Sequence, residues 1–143
     1  MVNMKVKKLK RIWVGVVSLL MKHPLTGYCR GKLIQLLGVK VKKLYKERVN
    51  VFIGERFKFD NRYPNLTEIG NWATVAPGCL ILTHYIDTNR PAPGFTFTSG
   101  KVKIGRVCFI GANSVICNSV EIGENSIVAA GSIVTKSILP NQI

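Results

Sequence analysis

Acidic side chains are scarce in this chain of 143 residues: 7 Asp and Glu stand against 21 Lys and Arg, a formal charge of +14. Histidine is scarcer still, at 2. Two imidazoles cannot supply the three-histidine zinc site of a carbonic anhydrase-like enzyme, so that chemistry is set aside and no metal is expected. The 4 cysteines include no CxxC pair. They read as reduced thiols in a cytoplasmic protein, with Cys79 and Cys108 as small apolar fillers. Long apolar runs are missing too. The run Ile12–Met21 is too short to span a bilayer. It follows the basic stretch Met1–Arg11, as in a secretory signal, but Lys22-His23-Pro24 stands where a small-residue cleavage site would be. Two readings remain for it: a helix packed on the end of the domain, or one lying at a membrane interface beneath its lysines.

The positive charge is unevenly spread. Residues 1–58 hold 15 Lys/Arg against 2 Asp/Glu, a net +13, whereas residues 59–143 hold 6 against 5, a net +1. The excess therefore belongs to an N-terminal segment, residues 1–49, distinct from a domain over 50–143. Such an arm attracts phosphate-rich surfaces of any kind. Trp13, Tyr28 and Tyr45 offer stacking rings there, but no nucleic-acid motif accompanies them, so no specific nucleic acid is expected. Within the arm, residues 5–22 read as a helix. A second helical stretch opens near Pro24 and Thr26 and stops at Gly38. Val39–Arg48 reads as an irregular first strand.

What the chain does have is a repeat. Ile69, Val75 and Ile81, then Ile104, Ile110, Ile116, Ile122, Val128 and Val134, are aliphatic at steps of six. The next residue is small at Gly70, Ala76, Gly105, Gly111, Gly123 and Ala129; Leu82, Cys117 and Thr135 are the exceptions. A six-residue period is neither helical nor simply alternating. It predicts an all-β parallel β-helix, each face of each coil sending one aliphatic inward. The coil begins near Val51 and is broken twice, at Asp60–Asn65 and from Thr83 to Lys103. An N-terminal helix would cover the open end of such a stack.

Regular coils carry few reactive groups, so the breaks are where chemistry belongs. His84 stands where the repeat stops, in Leu82-Thr83-His84-Tyr85-Ile86-Asp87. Imidazole exchanges protons near neutral pH, and Asp87 is placed to orient the ring or raise its basicity. A loop histidine bonded to backbone is the plain alternative.

The run Ile104-Gly105, Phe109-Ile110-Gly111-Ala112-Asn113, Ile122-Gly123-Glu124-Asn125 and Ala129-Ala130-Gly131-Ser132-Ile133-Val134-Thr135-Lys136 resembles the hexapeptide-repeat acyltransferases. Thr83-His84 and Asp87 ahead of a loop match the maltose/galactoside and polysaccharide O-acetyltransferase branch. The resemblance covers about residues 50–143. It implies a left-handed β-helix, a homotrimer, and sites in clefts between subunits. It implies acetyl-CoA as co-substrate and a sugar or polysaccharide-precursor hydroxyl as acceptor, with His84 as general base. By the same resemblance, the Ala112 N–H faces the thioester oxygen, Ala130 holds the pantetheine arm, and Thr135 and Lys136 lie near the CoA phosphates. Asp60 and Asn61 fall where relatives bind the acceptor. The basic arm suits a lipid-phosphate-linked acceptor, with the protein peripheral to the inner face of the cell membrane. An amine acceptor, as in amino-sugar N-acetyltransferases, and a non-catalytic scaffold with a binding arm are the other readings. Phe109 stands where the family usually has Trp, which keeps an apolar wall and loses an indole donor. The family continues past Pro140-Asn141-Gln142-Ile143 with a Gly-Asn-Pro-Ala-Lys-type segment, so the resemblance implies either weaker CoA binding or a missing end.

Overall fold

Residues six apart fall on the three flat faces of a prism. The computed structural model describes Val16 and residues 27–44, 46–87 and 96–143. The expected helix over 5–22 and its membrane reading, with His23 and Tyr45, lie outside the described residues apart from Val16.

The first rung is β1 (Lys40–Lys42), β2 (Phe52–Ile53) and β3 (Lys58–Phe59). The second is β4 (Thr67–Gly70), β5 (Thr74–Val75) and β6 (Leu80–Ile81). The chain then leaves the prism as an antiparallel hairpin, β7 (His84–Asp87) with β8 (Thr96–Ser99). It returns for the third rung, β9 (Val102–Ile104), β10 (Phe109–Ile110) and β11 (Val115–Ile116). The fourth is β12 (Glu121–Ile122), β13 (Ile127–Val128) and β14 (Ile133–Val134). Strands β1, β4, β9 and β12 form face A; β2, β5, β10 and β13 form face B; β3, β6, β11 and β14 form face C, with parallel pairing throughout. Two details differ from the sequence expectation. Lys40–Lys42 pairs with β4, so the coil starts before Val51, and the second break holds a hairpin, because Tyr85, Ile86, Phe97 and Thr98 are good strand formers.

Register stacks like on like. Ile53, Val75, Ile110 and Val128 form one inward column and Ile69, Ile104 and Ile122 another, all buried. Each such side chain contributes about 1.5–3 kcal/mol by leaving water. Cys79 and Cys108 fill inward slots as expected; their thiols donate to Gly111 O (3.1 Å) and Gly123 O (3.0 Å), and burial pushes both pKa values up. All four cysteines are free.

The α-helix α1 (Gly27–Leu36) seals the first rung. Its own Ile34 is fully buried against the coil. A Cβ on Gly31 would lie 1.9 Å from Val51 O, so only glycine lets the helix sit this close. The helix ends in a Schellman motif: Gly38 (φ 99°) donates to Gln35 O and Val39 to Ile34 O.

The outer surfaces differ. Face A shows Lys40, Glu68, Lys103 and Glu121 in register, tied by Lys103–Glu121 (3.0 Å) and Lys101–Glu68 (2.6 Å). Face B shows Phe52, Thr74, Phe109 and Ile127; face C shows Lys58, Leu80, Val115 and Ile133. Among the described residues no helix is long and apolar enough to cross a membrane.

Candidate active site

The three corners are built unequally. From A to B the residue after each inward aliphatic is Lys42 on the first rung and Gly70, Gly105 or Gly123 on the next three; from B to C it is Gly54, Ala76, Gly111 or Ala129. From C to A it is Asp60, Leu82, Cys117 or Thr135. Both breaks in the repeat leave from this third corner, on successive rungs.

Register then does the assembling. Phe59 lies beside Ile81, so Asp60 is carried next to Leu82, Thr83 and His84. Thr83 Oγ1 donates to Asp60 Oδ2 (2.5 Å), and the same oxygen takes a short contact from His84 Nδ1. Asp60 Oδ1 accepts the Arg62 N–H at 2.9 Å. The Asp60 side chain is 4% exposed and that of His84 31%. Burial pushes the Asp60 pKa up, but the hydrogen bonds from Thr83, His84 and the Arg62 N–H outweigh it and hold the carboxyl below the usual range. With Nδ1 committed to a carboxylate, the imidazole carries its proton there and presents the Nε2 lone pair outward. Nε2 has no hydrogen-bond partner among the described residues. Tyr63 and Phe97 stand edge-on to the ring, at 6.4 and 5.6 Å between centroids, and limit its rotation.

Asp60, expected at an acceptor-contacting place, is the hydrogen-bond partner of the histidine. Asp87 lies three residues along β7, opposite Thr96 at the far end of the paired region; its side chain is outside the described part. Asn61 is exposed beside Asp60.

The other expected residues lie elsewhere. Ala112 and Ala130 occupy the B-to-C corner, in one column with Glu55 and Pro77. At that corner the ladder uses the N–H groups on either side and skips this one. Gly111 donates to Val128 O and Asn113 to Pro77 O, while Ala112 only accepts, from Gly131. Pro77, with no N–H, fits the column because the fold asks nothing of that donor. The Ala112 and Ala130 N–H groups therefore have no partner among the described residues, as an oxyanion or an amide carbonyl would require. Thr135 and Lys136 are exposed at the C-to-A corner of the fourth rung. One prism face separates the histidine from the Ala112 edge, about 20 Å for a six-residue step.

Sequence reading missed Asp60 as the ring partner, and with it Thr83, Tyr63 and Phe97. The signal was present. Counting hexads in threes puts both breaks, and all the bulky exceptions, at one corner. Among the described residues no cluster of three or more His, Cys, Asp or Glu is placed to hold a metal.

Three short parallel faces turning through four rungs, with a hexapeptide period, define a left-handed β-helix, and solved structures share that fold. The maltose O-acetyltransferase from Clostridium difficile 630 superposes with a TM-score of 0.60 at 26% identity, covering 92% of this chain and 79% of that one. A galactoside acetyltransferase in complex with coenzyme A gives 0.52 at 22%, covering 94% and 74%. The family profile described as hexapeptide repeat of succinyl-transferase matches residues 101–136. In sequence, the galactoside O-acetyltransferase of Escherichia coli K12 is 50% identical over 81 residues, 52% of this chain and 37% of that protein. The bifunctional protein GlmU of Anaplasma marginale (strain Florida) is 42% identical over 40 residues, 28% of this chain and 9% of that protein. The chain thus spans less than half the length of these relatives. In repeat, fold and matched segments the chain is thus similar to hexapeptide-repeat acetyltransferases.

Proposed function

We propose that this protein transfers an acetyl group from acetyl-CoA to a sugar hydroxyl, with His84 as general base. The observation that supports it best is the Asp60–His84 pair, one nitrogen fixed and the other open, at the corner where the repeat is interrupted. Acetyl-CoA supplies an activated acyl group. His84 Nε2 takes the hydroxyl proton as the oxygen attacks the thioester carbonyl. Asp60 stabilises the imidazolium that results. The Ala112 N–H donates to the oxyanion as it develops, and the imidazolium returns its proton to the departing thiolate. Ala130 N–H holds the pantetheine arm. Thr135 and Lys136 meet the CoA phosphates, for which lysine is a suitable point charge.

The two halves of this site sit on opposite edges of face C, so a second copy laid across that face completes it. The apolar outer columns of faces B and C give such copies a surface to bury, and the charged face A stays in water. We therefore assign a homotrimer, checked by light scattering coupled to size exclusion.

The direct test is a thiol-release assay with acetyl-CoA across sugars and amino sugars. His84→Ala is expected to lose about 2–4 orders of magnitude in turnover. Equal rates for variant and wild type would remove His84 from the reaction.

A further inference from the structure

Thr83 is the last residue before the chain leaves the prism as the hairpin, and it is fully buried. Its backbone is held from two directions. The neighbouring Leu82 N–H donates to Ile116 O on the third rung at 2.9 Å, and Thr83 O accepts the Gly100 N–H, where the hairpin returns, at 2.8 Å. A β-branched side chain on a fixed backbone has little choice of rotamer. The hydroxyl therefore stands at a fixed point, 2.5 Å from Asp60 Oδ2.

The carboxylate it meets needs fixing. An aspartate carboxylate turns broadly about its last bond. Three donors reach that of Asp60: the Thr83 hydroxyl and His84 Nδ1 on Oδ2, and the Arg62 N–H on Oδ1. They are not equivalent. Arg62 lies two residues further along the same break, in a local turn that moves with Asp60 itself. His84 is the ring to be oriented. Of the three, the Thr83 hydroxyl alone is placed by the ladder of the next rung. Tyr63 and Phe97 limit rotation of the imidazole, so the swing of the carboxylate is the freedom that remains.

Burial does not by itself account for the hydroxyl. Thr67 is as deeply buried, and its Oγ1 has no hydrogen-bond partner among the described residues. Thr67 stands level with Val102 on face A, where a valine serves the same packing. At position 83 the hydroxyl is spent on Asp60.

We propose that Thr83 is a positioning residue whose hydroxyl holds the Asp60 carboxylate turned so that Oδ2 faces His84 Nδ1, which keeps the imidazole proton on Nδ1 and leaves Nε2 free. Without that hydroxyl the carboxylate swivels, the ring loses its fixed acceptor, and the proton distributes between the two nitrogens. A neutral ring protonated at Nε2 cannot take a proton there. The consequence for turnover rests on the acetyl-transfer reading; the consequence for the ring does not.

The test uses the full chain with isotope-labelled histidine. The tautomer is read from the ring nitrogen shifts in alkaline buffer, where imidazole is neutral. The chain has 2 histidines, so a His23→Gln spectrum assigns the signals of His84. Wild type should show the Nδ1–H form. Thr83→Val keeps the shape and removes the hydroxyl. It should show a mixture of tautomers and a kcat lowered about tenfold, with the KM for acetyl-CoA unchanged. Thr83→Ser should restore both the tautomer and kcat. Thr67→Val makes the same exchange at the other buried threonine and should alter neither. Should the valine variant at 83 fail to fold, Thr83→Ala against Thr83→Ser repeats the comparison with the hydroxyl as the sole difference. An Nε2–H ring in the wild type would overturn the proposal. So would an unchanged tautomer in Thr83→Val, or a serine variant as impaired as the alanine one, which would reduce Thr83 to packing. A wild type that transfers no acetyl group would instead defeat the acetyl-transfer reading, and the spectra would still decide what Thr83 does to the ring.

Discussion

Two kinds of corner share one prism. At the A-to-B and B-to-C corners of the second to fourth rungs, backbone lies on backbone. A Cβ on Gly111 would sit 2.4 Å from Ala130 N, and one on Gly105 2.6 Å from Glu124 N. At the C-to-A corner side chains stand where those glycines would be, and the chain leaves twice, after β3 and after β6. The first kind spends its sequence on closing the coil. The second is relieved of that duty and carries Asp60 and His84. The candidate reactive groups thus collect at a slack corner, because at the two closed corners of the second to fourth rungs the glycine or alanine after each aliphatic leaves no room for a larger side chain.

Substitutions at each corner test this contrast. The largest effect is expected from forcing a side chain into a closed corner. Gly111→Val should cost about 3 kcal/mol or more, at the upper end for overpacking, read as a lower denaturant midpoint or loss of soluble protein. A variant as stable as wild type would show that the closed corners are not closed.

At the open corner, Asp60→Asn should leave the fold intact, since rung pairing does not depend on it. Turnover should fall by about tenfold to a hundredfold, the range for partners that orient a functional histidine. An unchanged rate would mean that Asp60 only fills space. The His84→Ala loss stated above is the companion measurement.

A smaller change should sharpen the A-to-B corner. Val107 holds φ at 56°, a conformation a β-branched residue adopts only under strain, whereas the equivalent positions one and two rungs on are Asn125 (58°) and Asn141 (60°). Val107→Asn is therefore expected to stabilise the protein by about 1 kcal/mol, roughly 3 °C in Tm by calorimetry. A lower Tm would show that the exposed valine contributes packing that outweighs its strain.

The smallest effect is electrostatic. The first A-to-B corner is not glycine-built. Asn71 donates to Glu47 (3.1 Å) and to Arg48 O (3.0 Å) and accepts from Asn50 N–H (2.6 Å), while Arg106 grips Glu47 at 2.8 and 3.2 Å. The hydrogen bond from Arg106, with that from the Leu44 N–H, holds the Glu47 pKa at about 2 instead of the usual 4.5. A depressed carboxyl stabilises the native state fully above its unfolded value and loses that contribution as protons bind. Tm should accordingly decline between about pH 4.5 and 2, and less steeply in that window for Glu47→Gln. Parallel curves would show that the link is satisfied equally well in the unfolded chain.

Much of the fold was legible in the sequence because the inward aliphatics recur strictly, and one period defines all three faces. The site was legible only in part. His84 announced itself as a titratable group at an interruption. Asp60 did not, because its partner lies 24 residues away and the pairing arises from stacking one rung on the next. Proximity along the chain favoured Asp87, and the hairpin carries that residue along β7. The angle of α1 against the first rung was not legible at all, since the helix has no repeat to set it.

Asp60 and His84 hang from adjacent rungs, so their separation is fixed by the spacing of the β-ladder rather than by any loop. Whole turns of eighteen residues inserted beyond Val134 would lengthen the shaft on the side of the proposed donor contacts and leave this pair undisturbed. Reach toward a long co-substrate and reactivity at its tip are, in this architecture, separately adjustable.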